Sequence, residues 1–211
     1  MRKIYLLNSD KFENIVNLPV IEINFFHKEI NLDSYDALVF TSKNGVKAID
    51  NIDKKWRQKK IYSIGQGTSK EIKKYNTTPI YTAINSYGDS FAKEIGESLK
   101  GKRVLFPRAK KVTSKLNEIL KKIGVKLDEI IVYETVCKEH QDASKPEKDS
   151  VIIFTSPSTI KCFFKSFIWD ESYKAVVIGK VTAKAMPQEI KFTYAKEQTI
   201  KSCIEVAKYY L

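Results

Sequence analysis

Short apolar runs alternate with helix-period stretches along almost the whole chain. Ile4 to Leu7 reads as a buried strand, and Ala37 to Phe40 is a continuous apolar run typical of a central parallel strand. Val46, Ile49 and Ile52 then fall on one helical face. Lys60 to Ile64 and Pro79 to Ala83 predict further strands. Thr68-Ser69-Lys70-Glu71 has capping-box spacing, which starts a helix there and ends it before Asn76. Phe91, Ile95 and Leu99 mark another helix, and Val104 to Phe106 opens a new strand. Leu116, Ile119, Leu120 and Ile123 make an amphipathic helix closed by Gly124. Val125 to Leu127 and Ile130 to Val136 are extended. Strands then follow at Val151–Phe154, Ala175–Ile178 and Phe192–Ala195, with helices after each, the second beginning at Thr182. Near the start, Phe12, Ile15 and Val16 form one weak helical face, and Val20 to Phe26 is extended. This alternation predicts an α/β fold, with parallel sheets covered by helices on both faces.

One corner occurs twice. Val39-Phe40-Thr41-Ser42 runs from a strand into a helix, and Ile153-Phe154-Thr155-Ser156 does the same 114 positions later. Ile64-Gly65-Gln66-Gly67-Thr68 and Ile178-Gly179-Lys180-Val181-Thr182 keep the same offset. Two motifs repeating with identical internal spacing divide the chain into two related α/β halves.

Composition changes this picture little. The 211 residues suit one large or two small domains, and 43% hydrophobic content supports a real core. No run approaches the ~20 apolar residues that cross a bilayer. The apolar run after Met1-Arg2-Lys3 stops after four residues, too short for a signal peptide. Cys137, Cys162 and Cys203 make no paired framework, so reduced thiols and a cytoplasmic location are expected. Lysine and arginine outnumber acids by 37 to 25. The surplus favours an anionic partner or simply reflects a solvated lysine-rich surface. The densest basic cluster, Lys54-Lys55-Trp56-Arg57-Gln58-Lys59-Lys60, is read as a solvated loop. Glu139 to Ser150 is almost wholly polar and reads as a surface connector.

Candidate chemistry gathers at the repeated corners. In open parallel sheets, ligands bind outside the carboxyl ends of the strands. Thr41-Ser42, Gly65 to Thr68, Thr155-Ser156 and Gly179 to Thr182 put small residues, hydroxyls and helix amides there, suited to an anion. The competing reading makes Ser42, Ser156 and Thr68 plain N-caps, each worth about 1 kcal/mol. Pro157 after Ser156 fits that reading. Lys70 stands where a dinucleotide fingerprint needs its third glycine, and Lys174 where a P-loop needs its first. Cys137-x-x-His140 is a lone ligand pair, so no metal is expected. Tyr133 ends an Ile-Ile-Val-Tyr strand, where a phenol donates a hydrogen bond or simply packs a sheet edge. Arg108 follows Phe106-Pro107 at a strand end, placed either to grip a carboxylate or to make a surface ion pair.

Six motifs together resemble the uroporphyrinogen-III synthase family. They are Phe40-Thr41-Ser42, Ile64-Gly65-x-x-Thr68, Leu105-Phe106-Pro107-Arg108-Ala109, Val132-Tyr133-Glu134-Thr135, Phe154-Thr155-Ser156-Pro157-Ser158 and Ile178-Gly179-x-x-Thr182-Ala183. Order and spacing agree over nearly the whole chain. The resemblance implies two similar doubly wound parallel-sheet domains joined by a two-stranded connector, with the active site in the interdomain cleft. One domain would hold residues 1–18 and 138–211, the other 30–128, with 19–29 and 129–137 as the connecting strands.

The resemblance also implies a reaction. The family closes hydroxymethylbilane, a linear tetrapyrrole bearing eight carboxylates, with loss of water and inversion of ring D through a spiro intermediate. It needs no cofactor or metal, and the partner would be this small molecule alone, bound by a monomer without nucleic acid or membrane. Tyr133 matches the family's candidate for assisting departure of the hydroxyl. Thr41, Ser42, Gly65, Thr68, Arg108, Ser156, Ser158, Gly179 and Thr182 match its substrate-binding positions. Lys180, Val181 and the Met186-Pro187-Gln188-Glu189 break depart from the family's pattern and affect cleft shape. A non-catalytic binder of an anionic ligand with the same fold is the alternative. A nucleic-acid-associated protein is suggested by charge alone.

Overall fold

A computed structural model of the chain describes residues 2–85, 87–140 and 145–211. The chain divides into two compact units, one of residues 1–22 with 135–211 and the other of residues 23–134.

The unit of residues 23–134 is built on a sheet of β3 (Ile21–Phe25), β8 (Lys126–Cys137), β7 (Arg103–Ala109), β4 (Ala37–Phe40), β5 (Lys60–Ser63) and β6 (Tyr81–Thr82), in that spatial order. From β8 to β6 every pairing is parallel. Side chains alternate across these strands, so each contributes to two cores. Ala37, Val39, Val104 and Phe106 pack under α3 (Gly88–Leu99) and α4 (Leu116–Ile123). Leu38, Phe40 and Leu105 pack on the opposite face under α1 (Lys43–Ile52) and α2 (Gly65–Lys73). The helices on both faces explain why β4 is apolar at every position.

The unit of residues 1–22 and 135–211 repeats this plan. Its sheet order is β11 (Phe192–Tyr194), β10 (Lys174–Val177), β9 (Val151–Phe154), β1 (Ile4–Leu6) and β2 (Val16–Asn17), all parallel. One core packs against α5 (Pro157–Ser166) through Ile160 and Phe163, with Phe154 edge-on to Phe163 at 5.5 Å. The other packs against α7 (Ile200–Lys208) through Cys203, Ile204 and Ala207. The order β7-β4-β5-β6 in one sheet corresponds to β1-β9-β10-β11 in the other. The repeat seen in the sequence is thus a repeat of topology.

Several local expectations need correction. Phe12 to Val16 forms no helix: Asn14 adopts a positive φ of 57°, and the chain pairs Val16–Asn17 with β1 as an edge strand. Helix α2 starts at Gly65, not Thr68. Gly65 takes φ 61°, which only glycine adopts cheaply, and so turns the chain directly from β5 into the helix. The basic cluster after α1 is a short 3-10 turn over Lys54–Gln58, not a loose loop. Trp56 is fully buried there and donates Nε1–H to Asp50 Oδ1 at 3.0 Å. The two extended stretches around residue 130 are one continuous strand, β8. The helix at Thr182, α6 (Lys180–Ala183), begins two residues earlier and has only four residues.

The expectation of three reduced thiols is also overturned. Cys137 ends β8 and Cys162 lies on α5, and the two form a disulfide; Cys203 is free and buried. Sequence separation alone did not show that a strand end and a helix face meet. Residues 141–144 of the polar connector lie outside the described residues.

Candidate active site

Within the unit of residues 23–134, the carboxyl ends of four neighbouring strands carry the expected residues. Thr41 and Ser42 follow β4. Ser42 is the N-cap of α1, and its hydroxyl accepts the Asn44 N–H at 3.1 Å. Gly65 opens α2 without a side-chain cap, and Thr68 sits in that helix's first turn, 7% exposed. Arg108 lies near the end of β7, and Tyr133, four residues before the end of β8, pairs with Ala109, the last residue of β7.

Arg108 is held on three sides. Its Nε donates to Glu129 Oε2 at 2.8 Å, and its Nη1 donates to the carbonyls of Ala109 at 2.9 Å and Lys110 at 3.4 Å. Glu129 also accepts from Asn117 Nδ2 and from Lys121 Nζ at 2.9 Å. Burial pushes the Glu129 carboxyl up, but the bonds from Lys121 and Asn117 and the charges of Lys121 and Arg108 prevail and hold it below its ordinary value. Glu129 and Asn117 are participants that sequence reading missed. Their partnership is made by β7–β8 register and by α4, and no local motif signals it.

Tyr133 is 7% exposed. Burial raises its phenol above the usual tyrosine value, and a hydrogen bond with the Ser42 side chain works against that rise. The phenol is therefore neutral at pH 7. The Phe25 ring lies 6.4 Å away at a tilt of 54°.

The unit of residues 1–22 and 135–211 supplies the matching corners. Ser156 caps α5 reciprocally: its hydroxyl accepts the Thr159 N–H at 3.2 Å, and Thr159 Oγ1 accepts the Ser156 N–H at 3.1 Å. Ser158 lies in the first turn, half-buried. Gly179 caps α6 with extended backbone, and Thr182 within that helix is 4% exposed. Ser42 and Ser156 are thus N-caps by geometry, as the competing reading held. A cap still leaves other first-turn amides directed outward.

A cavity of about 340 Å³ in the unit of residues 23–134 is lined in part by Ser34, Tyr35, Arg103 and Asp128, and also by Glu129, the partner of Arg108. Arg103 and Asp128 stand near the amino ends of β7 and β8, and they are bonded to each other at 3.2 Å. Parallel sheets place ligands at the opposite ends of their strands, so the corners carry the functional reading and this cavity does not.

Two parallel α/β sheets with matched corners of amides and hydroxyls beyond the carboxyl ends of their strands define a doubly wound class of fold, in which small molecules bind at those ends. Residues 8–205 match the family model for uroporphyrinogen-III synthase HemD, and the chain belongs to that family. The chain is 33% identical, over 96% of its own length and 91% of the relative's, to a protein of Methanocaldococcus jannaschii described as a putative uroporphyrinogen-III synthase. The crystal structure of uroporphyrinogen-III synthetase from Helicobacter pylori matches at TM-score 0.85 and 28% identity, with both chains covered completely. A mutant uroporphyrinogen III synthase from Thermus thermophilus shares the fold at TM-score 0.59 and 12% identity, covering 100% of this chain and 98% of that one. The family is one of lyases of tetrapyrrole biosynthesis.

Proposed function

We propose that the protein closes hydroxymethylbilane to uroporphyrinogen III without a cofactor, inverting ring D through a spiro intermediate. The observation that carries this reading is the full-length match at TM-score 0.85 to a uroporphyrinogen-III synthetase structure. The corners after β4, β5, β9 and β10 bind substrate carboxylates through first-turn amides and the hydroxyls of Thr41, Ser42, Thr68, Ser156, Ser158 and Thr182. Gly65 lets the chain turn directly from β5 into α2 there, and Gly179 leaves room for the Gln198 side chain against the corner. Arg108 adds positive charge beside them. Residues 19–29 and 129–137 serve as the connecting ladder in this reading.

Chemistry needs one proton in the right place. The hydroxyl of the bilane leaves as water when Tyr133 donates its phenolic proton, and the cationic azafulvene that remains is attacked by ring D. The spiro intermediate fragments and recloses, and the last pyrrole to regain aromaticity releases a proton that restores the phenol. The net change is loss of one water. The protein's further work is to fold a flexible chain into a geometry it does not adopt alone.

The test is a coupled assay in which purified protein receives freshly generated hydroxymethylbilane and the product isomers are resolved. Uroporphyrinogen III is expected. Type I alone, the spontaneous product, would leave only a non-catalytic binder.

A further inference from the structure

The register of β8 contains an irregularity beside Tyr133. Arg108 pairs with Ile131, but the next residue of β7, Ala109, pairs with Tyr133, so Val132 is an extra residue opposite the Arg108/Ala109 step. This is a β-bulge, a feature that bends a strand and re-aims the side chains that follow.

Its effect on facing is visible in the cores. Leu127 belongs to the core under α3 and α4, and Glu129, two residues on, bonds Asn117 and Lys121 of α4. Strict alternation would send Ile131 and then Tyr133 to that same face. Ile130 and Val132 belong to the other face, with Phe40, Val46 and Ile49. Tyr133 is found with them. Val132 and Tyr133 are consecutive residues, 0% and 7% exposed, buried in one core. Tyr133's partner Ala109 also packs against that core. The extra residue has shifted the phase by one.

We propose that this bulge, with Val132 as its extra residue, is the positioning device of the active site: it turns the Tyr133 phenol from the α3/α4 face to the α1 face, where the Ser42 corner lies. The inference rests on the assignment of Tyr133 as proton donor. Without the bulge the phenol points toward the Glu129 side of the sheet, and the Ser42 corner has no acid. The backbone is fixed on both sides of the irregularity: Lys110 N–H donates to Tyr133 O at 2.9 Å and Phe26 N–H to Val132 O at 2.9 Å.

The test inserts one alanine between Arg108 and Ala109, which gives Val132 a partner and removes the bulge from the β7 side. Activity is compared in wild type, the insertion, Tyr133→Phe and the combination. The expected result is that insertion lowers kcat as far as Tyr133→Phe does, and that adding it to Tyr133→Phe lowers kcat no further. Additive losses would make the bulge merely structural and overturn the proposal. A second readout does not need activity. In protein labelled with 3-fluorotyrosine, the Tyr133 resonance, assigned by its loss in Tyr133→Phe, should move on insertion; an unmoved resonance overturns the proposal. If Tyr133→Phe leaves kcat intact, the proton-donor assignment fails while this resonance still decides the bulge. Should the insertion not fold, ring NOEs in the unmodified protein decide. Contacts to Ala109 and Phe25 support the proposal, and contacts to Leu116 and Leu127 overturn it.

Discussion

Arg108 donates through Nε to Glu129 Oε2 at 2.8 Å, and both side chains are largely buried, at 20% and 14% exposure. This pairing fixes the guanidinium beside the carboxyl end of β7. Glu129→Gln leaves Arg108 and Lys121 facing a neutral amide and should cost about 2 kcal/mol. Because the folded carboxyl sits below its ordinary value, its contribution is present above that ordinary value and is lost as pH falls through the lower folded one. Thermal melts from pH 3 to 7 should therefore show a flatter acid limb for Glu129→Gln than for wild type.

Tyr133→Phe removes the hydroxyl proposed as the proton donor and leaves the ring's packing in place. Turnover should fall roughly 10- to 100-fold with little change in KM. Since burial raises the phenol above the ordinary tyrosine value, it stays protonated through neutral and mildly alkaline pH. Steady-state kinetics should find no loss of kcat from this group below about pH 10.

The Cys137–Cys162 bond closes a loop with a sequence separation of 25. By the loop-entropy relation it stabilises the fold by about 3.5 kcal/mol. Thiol titration in denaturant should give one free thiol for the oxidised protein and three after reduction, and Cys162→Ser should lower the denaturation midpoint accordingly.

Gly45 sits in the first turns of α1, where an added Cβ would lie 3.0 Å from the Pro107 carbonyl oxygen. That oxygen is backbone and yields poorly. Gly45→Ala should destabilise by about 1 kcal/mol, because crowding outweighs the helix-propensity gain. It should also raise KM by displacing the Ser42 corner, which thermal melts and substrate titration check together.

The parallel sheets were legible because β4 and β9 are apolar throughout, as strands covered on both faces must be. The repeated corners were legible because Thr-Ser recurs with one offset and both serines do cap helices. What escaped were features made by tertiary register. An ion pair at Arg108 was one of the two readings its position offered, but its partner Glu129, the bulge at Val132 and the Cys137–Cys162 pair each depend on neighbouring strands or a packed helix. The start of α2 escaped for a different reason. Thr68 and Glu71 have capping-box spacing, but Gly65 enters the helix with φ 61° and needs no cap.

The claim that the matched corners of each sheet bind the carboxylates of the tetrapyrrole is tested most directly by amide chemical shifts during anaerobic titration with uroporphyrinogen III. The amides of residues 42–44, 66–68, 156, 158–159 and 180–182 should move together, saturate with a single Kd, and respond more weakly as salt rises. Shifts confined to the corners of one unit, or absent from all four, would contradict it.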